Sequence, residues 1–314
     1  MPKLAVIDMG TNTFHLLIAE VTSKDGLVPL TSAKQMTRLG EGFSVEKRIR
    51  KAAGERSIAA LLHFRSVLAR FAVDDLSVTG TSAVREAVNR DAFLAEVQRC
   101  TGFEVRVLSG EEEAQCSFTG IRSVMGDRAS WPMVTVDIGG GSTELVLAQE
   151  DKVVWLASLS LGVVRLSESY LREDPLAAAS LAQLTHEIEG FIDPMIPHLP
   201  RGCCFAGTAG TVTTLAALEQ KMASYTVSHI NRYPLSYASV ARMTKHLSSL
   251  SRHERCELVG LESGREDILI AGSLILRCLM ERFKYDPVYV SDSGVREGIL
   301  LRRFFELYPQ MAEV

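Results

Sequence analysis

The 314-residue chain lacks the features by which several classes of protein are identified from sequence. It has no excess of basic residues, and its formal net charge of -4 argues against general binding to nucleic acid or to an anionic membrane surface. Its longest helical apolar stretch, 268–280, is interrupted by Ser273 and Arg277 and is too short to span a bilayer. No low-complexity segment or charge block is present, so we expect an ordered globular protein.

Cysteine pairs with metal-binding spacing are also missing. The six cysteines are scattered, form no Cys-x-x-Cys pair and have no pair of histidines near them, so the sequence predicts no zinc site. Free thiols of this kind are typical of a reducing cytosol. The first three residues lead directly into a predicted strand rather than into a signal peptide, and we therefore expect a cytoplasmic protein.

The most informative pattern that is present is an internal repeat. Residues 4–21 have the sequence LAVIDMGTNTFHLLIAEV, and residues 133–150 have the sequence MVTVDIGGGSTELVLAQE. An alignment without gaps places Asp8 over Asp137, and the later His15 over Glu144. Each segment has two apolar arms joined by a turn of small residues, which is typical of a β-hairpin. The repeat predicts two similar domains that each begin with the same hairpin.

Strands and helices alternate around the two hairpins, which indicates α/β layers. The stretch 126–132 is the natural domain boundary. We expect one domain to comprise residues 1–125 with a closing helix in 299–314, and the second domain to comprise residues 126–298. The apolar spacing further predicts helices over 52–71, 85–100 and 111–125 and a strand over 103–108.

The turns of both hairpins have the composition of anion-binding loops. Small residues allow backbone N–H groups to converge on an anion without a basic side chain. An aspartate ends the first strand of each hairpin, so Asp8 and Asp137 suit a partly hydrated Mg²⁺. A single turn of this kind is equally well explained by chain reversal, but two copies with the aspartate in register favour a function. The turn residues are Gly10, Thr11, Asn12 and Thr13 in the first hairpin and Gly139, Gly140, Gly141 and Ser142 in the second.

A second candidate site is the acidic start of a predicted helix, formed by Glu111, Glu112 and Glu113. Acidic residues in a first helical turn complement the helix dipole, and the pattern alone favours that structural role. A carboxylate at this place could alternatively accept a proton from a water molecule that attacks phosphorus.

A third candidate site follows a predicted strand and opens the next helix. This arrangement binds anions, and it is equally typical of an ordinary tight turn. No Gly-Lys-[Ser/Thr] sequence follows, which excludes a nucleoside-triphosphate P-loop. Arg38 and Arg85 could grip phosphate oxygens, although a solvated surface role is the default for each. The residues of this third site are Gly207, Thr208, Ala209, Gly210 and Thr211.

Together these segments resemble the exopolyphosphatase/guanosine pentaphosphate phosphatase (Ppx/GppA) family in its short, two-domain form. The resemblance covers nearly the whole chain. It implies two actin-like α/β domains of the ribonuclease H-like superfamily of actin, sugar kinases and Hsp70, with a cleft between them. The motifs that carry it include 38–42 (RLGEG), 109–114 (SGEEEA), 137–144 (DIGGGSTE) and 291–298 (SDSGVREG).

The resemblance also implies roles for the candidate residues. Glu113 would activate the attacking water, and Glu144 would help to position it. Asp8 and Asp137 would be the carboxylates associated with Mg²⁺, the expected cofactor. The three small-residue loops would bind phosphate together with Arg38 and Arg85.

The implied activity is that of an exopolyphosphatase, which hydrolyses the terminal phosphoanhydride bond of inorganic polyphosphate. Two alternatives remain: hydrolysis of the 5′ γ-phosphate of guanosine pentaphosphate, and a non-catalytic sensor that binds either ligand. We expect no nucleic-acid or membrane partner. The oligomeric state, a homodimer being one option, stays open.

Overall fold

The structure is a computed structural model that describes residues 1–22, 26–127, 132–150 and 152–311. The chain forms two compact units. Unit 1 comprises Met1–Ser123 and Gly294–Val314, and unit 2 comprises Val124–Ser293. The predicted boundary stretch lies partly outside the described residues, because 128–131 are not among them.

The strands of the chain are β1 (Lys3–Met9), β2 (Thr13–Val21), β3 (Leu27–Met36), β4 (Asp75–Gly80), β5 (Arg106–Val107), β6 (Met133–Ile138), β7 (Thr143–Gln149), β8 (Lys152–Leu159), β9 (Cys204–Thr208), β10 (Pro234–Leu235) and β11 (Val288–Val290). The α-helices are α1 (Phe43–Glu46), α2 (Lys51–Leu68), α3 (Ser82–Glu86), α4 (Arg90–Thr101), α5 (Gly110–Met125), α6 (Val163–Tyr170), α7 (Ala178–Ile192), α8 (Ala209–Glu219), α9 (Val227–Ile230), α10 (Tyr237–Ser249), α11 (Arg252–Cys256), α12 (Leu269–Phe283) and α13 (Val295–Leu307).

Within the described residues, each unit contains one mixed sheet, and the two sheets share a topology. The strand order is β3-β2-β1-β4-β5 in unit 1 and β8-β7-β6-β9-β11-β10 in unit 2. In both, the first three strands form an antiparallel meander, and the fourth pairs in parallel with the first. The two hairpins predicted from the repeat, β1–β2 and β6–β7, are therefore confirmed. Strand β10 is an additional antiparallel edge strand of unit 2.

The internal repeat is also preserved in the strand register. Asp8 of β1 lies opposite His15 of β2 and Thr79 of β4. Asp137 of β6 lies opposite Glu144 of β7 and Thr208 of β9. The parallel neighbours of the two aspartates thus correspond as well, although the sequence alignment was limited to the hairpins.

Strand β1 is buried on both faces because successive side chains of a strand point to opposite sides of the sheet. Leu4 and Val6 belong to an apolar cluster that includes Leu301 and Phe304 of α13. Ile7 points the other way and belongs to a second cluster, which includes residues of α2 and α4. Helix α13 therefore completes the core under β1.

Helices α5 and α13 of unit 1 approach so closely that glycine is required between them. A Cβ atom on Gly298 would lie 1.8 Å from the carbonyl oxygen of Cys116, and one on Gly120 would lie 2.0 Å from that of Gly294. Such contacts leave no room for a side chain. The helix that carries the acidic first turn is therefore held tightly against the closing helix.

The core of unit 2 surrounds α12, whose side chains are nearly all buried. This helix contains most of the apolar stretch 268–280 noted in the sequence. A helix that is apolar on all sides is typical of a protein core as well as of a membrane span. Across the described residues, no helix combines the length and the apolar character that crossing a bilayer requires.

Two secondary-structure predictions are wrong in part. The predicted helix 85–100 is two helices, α3 and α4. Between them, the Asn89 side chain binds the backbone of a distant residue, Ile49. Its Oδ1 accepts from the N–H of Ile49 at 2.9 Å, and its Nδ2 donates to the Ile49 carbonyl at 3.0 Å. The strand predicted over 103–108 is shorter in the structure, where β5 comprises only Arg106–Val107. Strands β3 and β8 and helix α6 were not predicted.

Candidate functional site

The first hairpin turn places its polar residues in a closely packed backbone loop. Asp8, at the end of β1, is half-buried, and Thr11, Asn12 and Thr13 are buried. A Cβ atom on Gly10 would lie 2.8 Å from the Thr13 carbonyl oxygen, so the turn accepts only glycine there. The turn is therefore a preformed concavity of small residues beside a carboxylate.

The segment that contains Arg38 clasps this turn through its backbone. The Arg38 N–H donates to the Asn12 carbonyl, and the Gly40 N–H donates to the Thr11 carbonyl, each at 2.8 Å. A Cβ atom on Gly40 would lie 2.3 Å from Cγ2 of Thr11, so this contact also depends on glycine. Arg38 itself has a left-handed backbone with φ of 48° and is half-buried. These contacts fix Arg38 next to the first turn.

The three adjacent glutamates at the start of α5 have different surroundings. Glu111 is exposed. Glu112 forms a capping box with Ser109: its Oε2 accepts from the Ser109 N–H at 2.8 Å, and its own N–H donates to Ser109 Oγ at 3.1 Å. That backbone hydrogen bond lowers the pKa of Glu112. The structural role that the sequence favoured for the acidic turn therefore belongs to Glu112.

Glu113 is only 8% exposed, and its environment differs from that of a capping residue. Its Oε2 accepts a hydrogen bond from Nη1 of Arg85 at 2.8 Å. The same guanidinium nitrogen donates to the Leu108 carbonyl at 3.0 Å. A buried, oriented carboxylate of this kind is suited to direct a water molecule.

Arg85 and Glu113 belong to the same edge of the unit 1 sheet as the first hairpin turn. The N–H of Thr81, which follows β4, donates to the Met9 carbonyl at the end of β1 at 3.3 Å. The N–H of Arg85 donates in turn to the Thr81 carbonyl at 2.8 Å. The structure thus brings the candidates of unit 1 together at the carboxyl ends of parallel strands, where α/β proteins place their ligands.

In unit 2 the turn of the second hairpin is held by the start of α6. The carbonyls of Gly139 and Gly140 accept from the N–H groups of Val163 and Val164 at 3.1 and 2.9 Å. A Cβ atom on Gly162 would lie 2.2 Å from the carbonyl carbon of Gly141. Sequence analysis missed this contact because it did not predict α6.

The two carboxylates of the second hairpin are deeply placed. Asp137 is 8% exposed and Glu144, its partner across the strands, is 2% exposed. Oε1 of Glu144 accepts a hydrogen bond from Oγ of Ser158 at 2.7 Å. Ser158 lies on the unpredicted strand β8, directly opposite Glu144.

The third loop joins β9 to α8 beside the second hairpin. Thr208 lies opposite Asp137, and its Oγ1 is 2.9 Å from the Ser291 carbonyl and 3.0 Å from the Ser293 carbonyl. Ala209 has a left-handed backbone with φ of 67°. The structure therefore brings the loop, the second hairpin and the start of the SDSGVREG motif to one edge of the unit 2 sheet.

Arg265 is a charged neighbour of this loop that sequence analysis missed. A Cβ atom on Gly210 would lie 1.9 to 2.3 Å from the guanidinium atoms of Arg265, so the guanidinium lies across that glycine. Nε of Arg265 donates to Oε2 of Glu262 at 2.8 Å. Gly210 and Arg265 are too far apart in the sequence for their spacing to predict this contact.

The residues fit Mg²⁺ better than a transition metal. Among the described residues, no group of three or more histidine, cysteine, aspartate or glutamate side chains could hold a metal ion. Each hairpin instead offers one aspartate beside an amide-rich turn. Mg²⁺ is commonly held by one or two carboxylates together with water and substrate phosphate oxygens. Asp8 in unit 1 and Asp137 in unit 2 are each a carboxylate of this kind.

The chain is similar to one family of known proteins along most of its length. The model of the Ppx/GppA phosphatase family matches residues 17–305. The chain belongs to this family. It is 32% identical to exopolyphosphatase 2 of Mycobacterium tuberculosis, over 96% of the chain and 98% of that protein. It is 28% identical to a guanosine-5'-triphosphate,3'-diphosphate pyrophosphatase of Aeromonas salmonicida, over 95% of the chain and 59% of that protein.

The solved structures give the same family assignment. The crystal structure of an exopolyphosphatase from Cytophaga hutchinsonii matches with a TM-score of 0.87 and 26% identity, over 99% of this chain and 98% of that chain. A Ppx/GppA family member from Aquifex aeolicus matches with a TM-score of 0.82 and 27% identity, over 98% of both chains. The predicted actin-like α/β fold and membership of a phosphatase family are confirmed.

Proposed function

We propose that this Ppx/GppA family member is an exopolyphosphatase that releases terminal orthophosphate from inorganic polyphosphate. The observation that carries the proposal is the buried Glu113 carboxylate, fixed by Arg85 at the edge of the sheet where the first hairpin turn lies. An anion-binding turn and an oriented base at one sheet edge are the parts that hydrolysis of a phosphoanhydride requires.

In the proposed reaction, the turn residues Thr11–Thr13 and Arg38 hold phosphate oxygens of the substrate. Glu113 orients a water molecule and accepts its proton as the water oxygen attacks the terminal phosphorus in line with the bridging oxygen. The phosphorus–oxygen bond breaks, and the shortened polyphosphate leaves with the bridging oxygen. Bound Mg²⁺ supplies neutralisation of the phosphate charge, which phosphoryl transfer needs more than covalent chemistry.

Unit 2 contributes a second set of residues under the same proposal. We assign phosphate binding to its two loops, 139–142 and 207–211, and a role in the reaction to Glu144. The support is their placement at the carboxyl ends of β6 and β9, with Glu144 buried and held by Ser158.

We also propose a location in the cytoplasm. It is supported by the six cysteines, which are all free, as is usual for proteins of a reducing compartment.

Hydrolysis of guanosine pentaphosphate is the second candidate function. It is favoured by the similarity to the Aeromonas salmonicida pyrophosphatase. A non-catalytic sensor of either ligand is less well supported, because the chain retains Glu113 in an ordered ion pair.

Phosphate release by the purified chain decides among these functions. Polyphosphates of defined length and guanosine pentaphosphate would be compared at equal concentration with Mg²⁺ present. We expect a higher kcat/KM for polyphosphate. A higher value for guanosine pentaphosphate would replace the leading proposal with the second, and tight binding of either without phosphate release would support a sensor.

A further inference from the structure

Unit 1 has a dense group of cationic side chains close to the first hairpin turn. Residues 47–51 (KRIRK) contain four cationic residues in five positions. Lys47, Arg48, Arg50 and Lys51 are exposed, whereas Ile49 is 4% exposed and part of the core. Ile49 therefore fixes the segment to the core, and the four cationic side chains face solvent.

The backbone of this segment is held in place by residues that follow α3. The Lys47 carbonyl accepts from the N–H of Val88 at 2.8 Å. Asn89 makes two hydrogen bonds to the backbone of Ile49, as described above. The cationic group is thus part of the ordered framework that also carries Arg85.

Arg50 connects the group to the loop that clasps the first turn. A Cβ atom on Gly42 would lie 2.0 to 2.4 Å from the guanidinium atoms of Arg50, so the guanidinium lies across Gly42. Gly42 is two residues from Gly40, a separation of at most about 7 Å between Cα atoms. Gly40 in turn is hydrogen-bonded to Thr11 in the hairpin turn. The segment Gly40–Gly42 therefore links the first turn to Arg50.

Ion pairing within the protein does not account for these charges. Lys47 and Lys51 have partners only at 3.8 and 3.9 Å, in Glu86 and Glu55, and such exposed pairs contribute little to stability. In the part of the chain that the structure describes, Arg48 and Arg50 form no ion pair. Lys51 opens α2, which has no acidic residue in its first turn, and cations at that end oppose the helix dipole.

We propose that Lys47, Arg48, Arg50 and Lys51 bind the part of a polyphosphate chain that extends beyond the phosphates held at the first turn. This inference rests on the proposed function and adds to it a preference for polymers over short phosphoanhydrides. Exposed cations attract a linear polyanion by charge and by release of its counterions, so the contact is sensitive to salt and indifferent to sequence. Under this inference, a substrate of only a few phosphates makes fewer of these contacts than a long chain does.

The test compares the double variant Arg48→Gln/Lys51→Gln with a matched control, Arg70→Gln/Arg99→Gln. The control removes two exposed charges from the same unit: Arg70 lies two residues after the end of α2, and Arg99 lies on α4. KM and kcat would be measured for tripolyphosphate and for polyphosphate of several tens of units. At low ionic strength we expect the test variant to raise KM for the polymer about 3- to 10-fold and KM for tripolyphosphate less than 2-fold, with kcat unchanged.

Salt provides a second readout. The difference between wild type and test variant should disappear at about 0.5 M salt, where exposed charges are screened over a few ångströms. An equal rise of KM for both substrates, or the same effect in the control variant, would overturn the inference while leaving the proposed hydrolase intact. Failure of the wild type to hydrolyse either substrate would overturn both.

Discussion

Arg85 donates a hydrogen bond of 2.8 Å to the buried carboxylate of Glu113, across 28 positions of sequence. The guanidinium also donates to the Leu108 carbonyl, so Arg85 is fixed next to the end of β5. Glu112 also pairs with an arginine, Arg106, but burial distinguishes Glu113, because Glu112 is only half-buried and Glu111 is exposed. Glu113 is the carboxylate of the acidic turn for which we propose a role in hydrolysis.

Replacing Glu113 with glutamine should lower kcat for phosphate release about 100- to 10,000-fold, because an amide cannot accept the proton of the attacking water. KM should change little, since the substrate phosphates are held by other groups. The control is Glu111→Gln, an exposed residue in the same helical turn, for which we expect activity within about 2-fold of wild type. Unchanged kcat in the Glu113 variant would remove this residue from its assigned role.

Mg²⁺ should be required for activity. A chelator should abolish phosphate release, and added Mg²⁺ should restore it. We expect Asp8→Asn and Asp137→Asn each to raise the half-saturating Mg²⁺ concentration about 10-fold or more, because each removes a carboxylate ligand. Asp91→Asn, at an exposed site on α4, is the control. A Mg²⁺ dependence identical to wild type in both aspartate variants would contradict the assignment.

The contact between α6 and the second hairpin can be tested with a single methyl group. Gly162→Ala would place Cβ 2.2 Å from the backbone of Gly141, so the turn must shift and phosphate release should fall at least about 10-fold. Gly190→Ala is the matched control, because a Cβ there has no neighbour within 4 Å. As a glycine inside a helix, Gly190 should gain about 0.5–1 kcal/mol in the free energy of unfolding on this change. Normal activity of the Gly162 variant would show that the turn is not fixed by α6.

The capping role of Glu112 predicts a pH-dependent contribution to stability. Its hydrogen bond from the Ser109 backbone lowers its pKa in the folded state below 4.5. The stabilisation is therefore present above that value and is lost as the pH falls through the folded-state pKa. Glu112→Gln should lower the free energy of unfolding by about 0.5 kcal/mol at pH 7, and chemical denaturation near pH 4 should show a smaller difference. If the difference in the free energy of unfolding between wild type and variant instead grew as the pH fell, the pKa of Glu112 would not be lowered in the folded state.

Thiol labelling should separate the cysteines by burial. Burial raises the pKa of Cys116 and of Cys278 to about 11, so at pH 8 about one molecule in a thousand carries the reactive thiolate at either site. Cys256 is exposed and should react first. Mass spectrometry after a short exposure to iodoacetamide would locate the label. Early labelling of Cys116 or Cys278 would contradict the packing described for α5 and α12.

The parts of the site that follow from local sequence were predictable. The two hairpins and their aspartates were found because a strand, a turn and a strand are continuous in the chain. The three glutamates of α5 point about 100° apart around the helix, and their sequence alone does not tell which one faces inward. The resemblance selected Glu113, and the structure shows that this is the buried one. Its role in hydrolysis stays a prediction.

Contacts between distant segments were beyond the reach of the sequence. Arg265 lies against Gly210 and Ser158 lies against Glu144, and no spacing rule connects either pair. Strand β3 was missed because it is a largely exposed edge strand that contains Pro29 and has no clear alternation of apolar and polar residues. Asn89 interrupts the predicted helix 85–100, and its side chain is hydrogen-bonded to the backbone of Ile49, 40 residues away.

The burial of β1 beneath α13 determines when unit 1 can finish folding. During synthesis, residues 3–9 leave the ribosome well before Leu301 and Phe304 of α13, which belong to the cluster that covers Leu4 and Val6. Unit 2 is a single continuous stretch and meets no such delay, so we expect it to reach its native packing first. Strand β1 is therefore completed only by a helix that is synthesised after the whole of unit 2.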